Sequence, residues 1–409
     1  MIYALPMIFV LIGLALYGVL GGADFGAGFW QLTAGRGAAA ERVRAHAHDS
    51  MAPVWEANHV WLIFVLTVTW TAYPRAFGSF ASTLSVALAV AGVGILFRGA
   101  AYALRTGTSV RREQRVIDTV FGVSSLITPF ALGAAIGGIA SGRVPVGNAA
   151  GDLFSSWLNP TSILIGVLAV LTGAYLAAVF LSADAVRRDE PELAERFRRR
   201  ALGAGLVAGA VALGGLVVLH GDAHPLFHGL VAGSGLPALI ASVLFGAATL
   251  ALVWTRRFEP ARYTASIAVA AIVAGWALAQ NPQLLPGLTV RQAAASHDTE
   301  VALVVSILVG AALLGPSLAT LFRLTLGGRL GEGPPPVDET PAHERRSAAR
   351  AGLLARGAVA LAVAGFGLMN IADGEWAHVA GALCYLGFIV CGFRLALPLA
   401  QPAERATPG

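Results

Sequence analysis

Asp24, Glu56 and His59 are the residues of this chain whose types and spacing suit proton transfer. Glu56 and His59 stand three apart at the start of an apolar stretch over 53–74. In a helix that spacing puts both on one face, about 5–6 Å apart at Cβ. Asp24 sits among four glycines in Gly21-Gly22-Ala23-Asp24-Phe25-Gly26-Ala27-Gly28. Glycine at that density marks backbone that bends or packs closely, here at the expected end of a first helix. If the first two helices pack antiparallel, the three groups share one depth. Burial and mutual repulsion raise carboxylate pKa values toward working pH, and imidazole titrates there already. The competing reading is interfacial: residues near a span's end lose little hydration, and a glutamate in a first turn suits the helix dipole. Asp118, early in a fourth apolar run, is a further proton-pathway candidate or a carboxylate neutralised by a nearby cation. Trp55 and Trp61 flank the cluster as interface or packing aromatics, and Asn58 adds an amide.

The elements that must position these groups are membrane spans. The chain has 409 residues, 56% of them hydrophobic and 12% charged, with a mean hydropathy of +0.71. Apolar runs fall at 2–22, 55–74, 77–97, 117–140, 158–183, 201–219, 235–254, 262–280 and 301–322. Each approaches the length that crosses a hydrocarbon core of about 30 Å. Two more, 355–372 and 376–397, follow a proline-rich linker. All 28 basic residues are arginine, and 25 of them collect on one side of this topology. Only Arg75, Arg143 and Arg291 lie on the other. Loop charge sets orientation, so the rich side is expected to be cytoplasmic and the N-terminus outside. The same distribution argues against nucleic acid as the reason for a pI near 9.7. The first run has no basic residue ahead of it, and is expected to stay as a helix rather than leave as a signal peptide. Frequent Gly and Ala, as in 132–140, suit close helix packing in lipid.

Other constellations carry less. His220, Asp222, His224 and His228 lie within nine residues, but Pro225 interrupts helical ligand spacing, and loop histidines of this kind seldom bind metal. Cys384 and Cys391 stand seven apart in one apolar run, neither a disulfide framework nor a zinc motif. A cytochrome that holds its own haems needs axial ligands deep in its bundle. Here His59 is near an end, while His378 and Met369 stand alone. With no glycine-rich nucleotide loop or cysteine cluster, no cofactor or metal is expected on this chain.

Taken together, 21–26 (GGADFG) and 53–62 (PVWEANHVWL) resemble subunit II of the cytochrome bd-type quinol oxidases. The likeness continues through Phe97-Arg98-Gly99, Phe121-Gly122-Val123-Ser124-Ser125 and Gly275-Trp276-Ala277, and covers roughly 1–325. It implies an all-α polytopic membrane protein of nine transmembrane helices, two four-helix bundles plus one. It implies a haem-binding partner, subunit I, carrying haem b and haem d and oxidising quinol at an outer loop, in the bacterial cytoplasmic membrane. By position in the motif, delivery of cytoplasmic protons falls on Glu56, with Asp24 beside it and Arg98 as a packing residue. Many members of the family have Asp-Gly where this chain has Glu56-Ala57. The expected organisation is a core over 1–325, a polar linker over 326–350, an extension with one or two apolar helices over 351–400, and a tail over 401–409. The extension is outside the family's common pattern, and covering a lipid face or holding a small accessory subunit are readings of it. Bound lipid or quinone is compatible with the subunit. A proton-coupled transporter and a purely structural scaffold subunit are the alternatives.

Overall fold

The computed structural model describes the backbone of residues 2–51, 55–105, 111–326, 356–358, 360–361, 363–365, 368 and 374–396. It divides into two compact units, residues 1–314 and 315–409.

The first unit is helical almost throughout. Helix α1 spans Ile2–Leu32, opening on Pro6, whose missing N–H costs nothing in a first turn. It does not end at its glycines, as the composition suggested. The Gly21–Gly28 block lies inside the helix, and only Gly35 and Gly37, both at positive φ, turn the chain. Glycine weakens an isolated helix, but here it permits a crossing. A Cβ on Gly26 would sit on the carbonyl of Gly173, in a later helix. A π-turn, Tyr17–Gly21, interrupts the α-helical bonding of α1 midway.

The amphipathic α2, Ala38–Met51, follows, then α3, Trp55–Ala72. The expected third span divides. Its front becomes α4, Pro74–Thr83, and the membrane-length helix is α5, Ser85–Arg105. The hydroxyls of Ser79 and Ser82 bond back to the carbonyls of Arg75 and Gly78. They also accept the amides of Gly147 and Ala149 at 2.9 and 2.8 Å, which ties α4 to the loop that follows residue 140, the end of the next helix but one. The remaining helices are α6, Arg111–Ala140; α7, Pro160–Arg187; α8, Pro191–Asp222; α9, His224–Val231; α10, Leu236–Trp254; and α11, Phe258–Gln280. A small hairpin unforeseen in the sequence comes next, β1 Gln283–Leu285 against β2 Leu288–Thr289. Pro286 followed by Gly287 at positive φ makes its turn. Then come α12, Val290–Ala293, and α13, His297–Leu326.

Among the described residues, eight helices are long and apolar enough to cross a membrane: α1, α5, α6, α7, α8, α10, α11 and α13. The apolar part of α3, Asn58–Ala72, is shorter. Nine crossings were expected, and the difference from that count rests on α3. Helix α8 also starts earlier than its apolar run, because the mixed-charge segment before residue 201 is helical.

Helix α7 is central to the packing, meeting α1, α6, α8 and α11. Its Ala174, Leu176, Ala177, Ala178, Val179 and Leu181 are fully buried. Toward the arginine-rich ends they join Val43 and Ala47 of α2, Leu193 and Phe197 of α8, and Val253 of α10. At the opposite ends a second cluster gathers Tyr73, Leu84, Val144, Trp157, Leu285 and Leu288. Helix α1 packs along α3, which sets the sequence-selected residues beside one another. In the second unit, α14 spans Glu375–Ala396, one residue ahead of the expected 376–397 run at each end, and Gly365 lies against its Gly381. The linker, Met369 and the tail lie outside the described residues, as does the side chain of His378.

Candidate functional site

Asp24 is 1% exposed, and its partner is Arg98 of α5, 3% exposed. Arg98 was counted among loop arginines on sequence, yet it lies in the helix interior. Seven residues, or about 10 Å at the helical rise, separate it from Arg105 at the end of α5. Both carboxylate oxygens of Asp24 accept from the guanidinium, Oδ1 at 2.7 Å. A third bond runs from Arg98 to the Asp24 carbonyl at 3.0 Å. The remaining Nε–H donates to Ser125 Oγ of α6 at 3.1 Å. The rings of Phe25 and Phe121 lie 4.7 and 4.6 Å from the guanidinium carbon, within cation–π range. Two opposite charges so enclosed, with donors and acceptors satisfied, form a neutral unit joining α1, α5 and α6.

Helix α3 docks on the π-turn of α1. Asn58, 3% exposed, donates its amide to the Leu20 carbonyl at 3.2 Å. A π-turn disturbs the usual i→i−4 pairing of carbonyls, and the Asn58 side chain serves one of them. The half-buried His59 ring stands edge-on to Tyr17 at 6.2 Å and to Phe25 at 5.9 Å between centroids. Phe25 therefore separates His59 from the Asp24–Arg98 pair while touching both. Trp61 stacks edge-on to Phe64 at 6.3 Å, as a packing aromatic would. Trp55 and Glu56 lie in the first turn of α3, and their side chains are outside the described residues.

Asp118 does not join this cluster. It pairs with Arg105, each side chain about a quarter exposed. Asp118 and Ser125 are seven residues apart on α6, as Arg105 and Arg98 are on α5. The Arg105–Asp118 pair thus sits two turns nearer the arginine-rich side than the buried pair, at its mouth. The neutralising cation, Arg105, comes from the neighbouring helix α5.

Several groups escaped sequence reasoning. Tyr17 and His46 carry no local signal, because their partners are remote in the chain; Ser125 stood in a resemblance motif with no role attached to it. His46 of α2 is 4% exposed, with Nε2 3.1 Å from the Leu181 carbonyl of α7. Burial holds its pKa below the ordinary value, with the Leu181 carbonyl opposing. Asp222 proves structural: Arg143 donates to it at 2.6 and 3.0 Å, and Thr161 donates its hydroxyl at 2.6 Å. Its neighbours His220 and His224 have rings 5.2 Å apart, with Phe227 at 4.9 Å from His220. Among the described residues no three His, Cys, Asp or Glu side chains converge on a point that would hold a metal.

A family model described as cytochrome bd terminal oxidase subunit II matches residues 3–325. The chain belongs to that family. It is 29% identical over 226 residues to cytochrome bd-I ubiquinol oxidase subunit 2 of Escherichia coli (strain K12), covering 52% of this chain and 56% of that one. Over 170 residues it is 28% identical to cytochrome bd ubiquinol oxidase subunit 2 of Bacillus subtilis (strain 168), covering 40% and 48% respectively. The chain thus spans about half the length of the curated relatives it matches. Among solved structures, the bd oxidase from Geobacillus thermodenitrificans shares the fold with a TM-score of 0.62 at 24% identity, over 80% of this chain and 98% of that chain. Family and apolar helices together make this a multi-pass membrane protein.

Oxidases of the bd family carry haem, and the residues described around His59 do not fit one. A porphyrin on that imidazole would need the space held by the Tyr17 and Phe25 rings, both edge-on to it. The described bd subunit II site is therefore the Asp24–Arg98 ion pair with the Asn58 amide, the His59 imidazole and the Tyr17 phenol beside it.

Proposed function

We propose that this chain is the second subunit of a bd-type terminal oxidase that reduces dioxygen to water with electrons from quinol. It sits in the bacterial cytoplasmic membrane with its N-terminus outside. Haem b and haem d belong to subunit I in this reading and supply the oxygen chemistry. This chain supplies assembly surface and a route for cytoplasmic protons. The observation that carries the reading is the family match over residues 3–325, which takes in α1, α3 and the whole site.

Within the route, Glu56 and His59 exchange protons. Asp24, in its ion pair with Arg98, supplies a fixed polar anchor beside them. Asp118, with Arg105, lines the mouth. Support comes from the way Asn58 anchors α3 to the π-turn, which holds His59 at one depth beside Tyr17 and Phe25. A proton-coupled transporter calls for broken helices at the midplane with charge gathered there; the family match over 3–325 favours the oxidase subunit over that reading.

The test is Glu56→Gln in the assembled two-subunit complex. Oxygen consumption is expected to fall about tenfold, or about 1.4 kcal/mol on the barrier, with the haem spectrum intact. Unchanged turnover in a haem-replete complex would favour the scaffold reading instead.

A further inference from the structure

We infer that Tyr17 is a further positioning residue of this site, its phenol holding an internal water with which the His59 imidazole exchanges its proton. The inference rests on the reading of Glu56 and His59 as a proton route and extends that route inward.

Tyr17 is 7% exposed, and its hydroxyl oxygen is enclosed with no hydrogen-bond partner among the described residues. A buried tyrosine hydroxyl ordinarily has a partner, because leaving it without one forfeits its hydration. A phenylalanine would fill the same slot without that cost, so packing does not account for the oxygen. The ring lies along Gly21, where a Cβ would stand 3.0 Å from two ring carbons. That glycine lets the phenol lie toward Phe25 and His59, edge-on to them at 6.4 and 6.2 Å. Tyr17 also opens the π-turn, Tyr17–Gly21, a helix irregularity that recurs where a side chain must be re-aimed for function.

The surroundings are polar enough for water. A buried water takes two to four polar partners, and the Tyr17 and His59 rings lie edge-on with centroids 6.2 Å apart. The Asp24–Arg98 pair is close enough to act on the phenol electrostatically. Seven residues separate Tyr17 from Asp24, so its backbone lies about 10 Å farther from the arginine-rich side. The water accepts the proton that His59 releases and gives one of its own to the next water of the route, while Glu56 returns a proton to His59 and the phenol keeps its hydrogen bond to the water, so imidazole, water and phenol each end the step as they began it.

The test compares Tyr17→Phe with Glu56→Gln in membranes containing the complete oxidase, reading oxygen consumption against pH. For Tyr17→Phe a threefold or greater fall, with a displaced pH profile and unaltered haem spectrum, supports the inference when Glu56→Gln is slowed too; the same fall beside an unchanged Glu56→Gln removes the route the inference extends and overturns it. Ring packing is kept, so a merely structural tyrosine would leave the profile in place. A wild-type rate and profile for Tyr17→Phe beside a slowed Glu56→Gln overturns the inference and spares the proton route. If neither variant slows, both fall. Should Tyr17→Phe not accumulate, Gly21→Ala displaces the ring and leaves the hydroxyl. A displaced profile there supports the inference, and a wild-type profile overturns it.

Discussion

Substituting Arg98 should cost far more than substituting Asp24 and Arg98 together. Both side chains are essentially sealed from solvent, at 3% and 1% exposure, and the guanidinium serves two carboxylate oxygens, a carbonyl and the Ser125 hydroxyl. Arg98→Gln leaves a buried carboxylate without its cation, and Asp24→Asn leaves a buried guanidinium without its anion. Removing one member of a buried pair costs about 3–5 kcal/mol. The double variant carries two neutral amides in the same space and can rebuild part of the hydrogen bonding, so its expected cost is about 1–2 kcal/mol. If each single variant costs about 3 kcal/mol, the coupling is about 4 kcal/mol or more, well beyond the few tenths expected of independent sites. The assay is the thermal unfolding midpoint of the purified complex in detergent for wild type, both singles and the double. The expected order is wild type, then the double, then the singles. A double variant whose loss equals the sum of the singles would refute the ion-pair account, since it would mean the two charges are stabilised separately.

Two further outcomes follow from the packing. Gly26→Ala should lower the yield of assembled protein sharply, because its Cβ would occupy the Gly173 carbonyl, and over-packing of this kind costs about 1–3 kcal/mol or more. Gly22→Ala, whose Cβ meets Leu176 at 3.5 Å and the Gly173 Cα at 3.8 Å, both ordinary contacts, serves as the tolerated control in a membrane-yield comparison, and equal yields would refute the crossing. His46 should make the protein acid-sensitive. Burial lowers its folded pKa, with Arg188 adding to this and the Leu181 carbonyl, Glu190 and Asp184 opposing. The folded chain then binds fewer protons than the unfolded one, so this contribution is complete above about pH 6.5 and is lost as pH falls from there toward the depressed value. Thermal midpoints at pH 7.5 and 5 should drop more in wild type than in His46→Gln, and parallel drops would exclude His46.

Fold class was legible because hydropathy is a property of contiguous residues. Eight of the expected runs reappear as helices of membrane length, and the motif around 53–62 pointed to the family that the match over 3–325 establishes. Limits of helices were less legible. A glycine block reads as a stop when seen alone, yet α1 runs through Gly21–Gly28 because Gly173 needs that space. The third apolar run divides at Leu84, where backbone amides 67 and 68 residues away bond to the α4 hydroxyls.

The residue types of the site came from sequence alone: an acid among glycines, and an amide and an imidazole on one turn of α3. Their partners came only from the tertiary structure. Asp24 and Arg98 are 74 residues apart, and nothing local tells a buried countercharge from one more loop arginine. The same holds for Tyr17, whose ring meets His59 across a helix pair. Local pattern determines which segments enter the membrane, since that transfer depends on each segment's own side chains. Which charges may stay there depends on what the other helices bring to the same depth, and that is decided only when they pack.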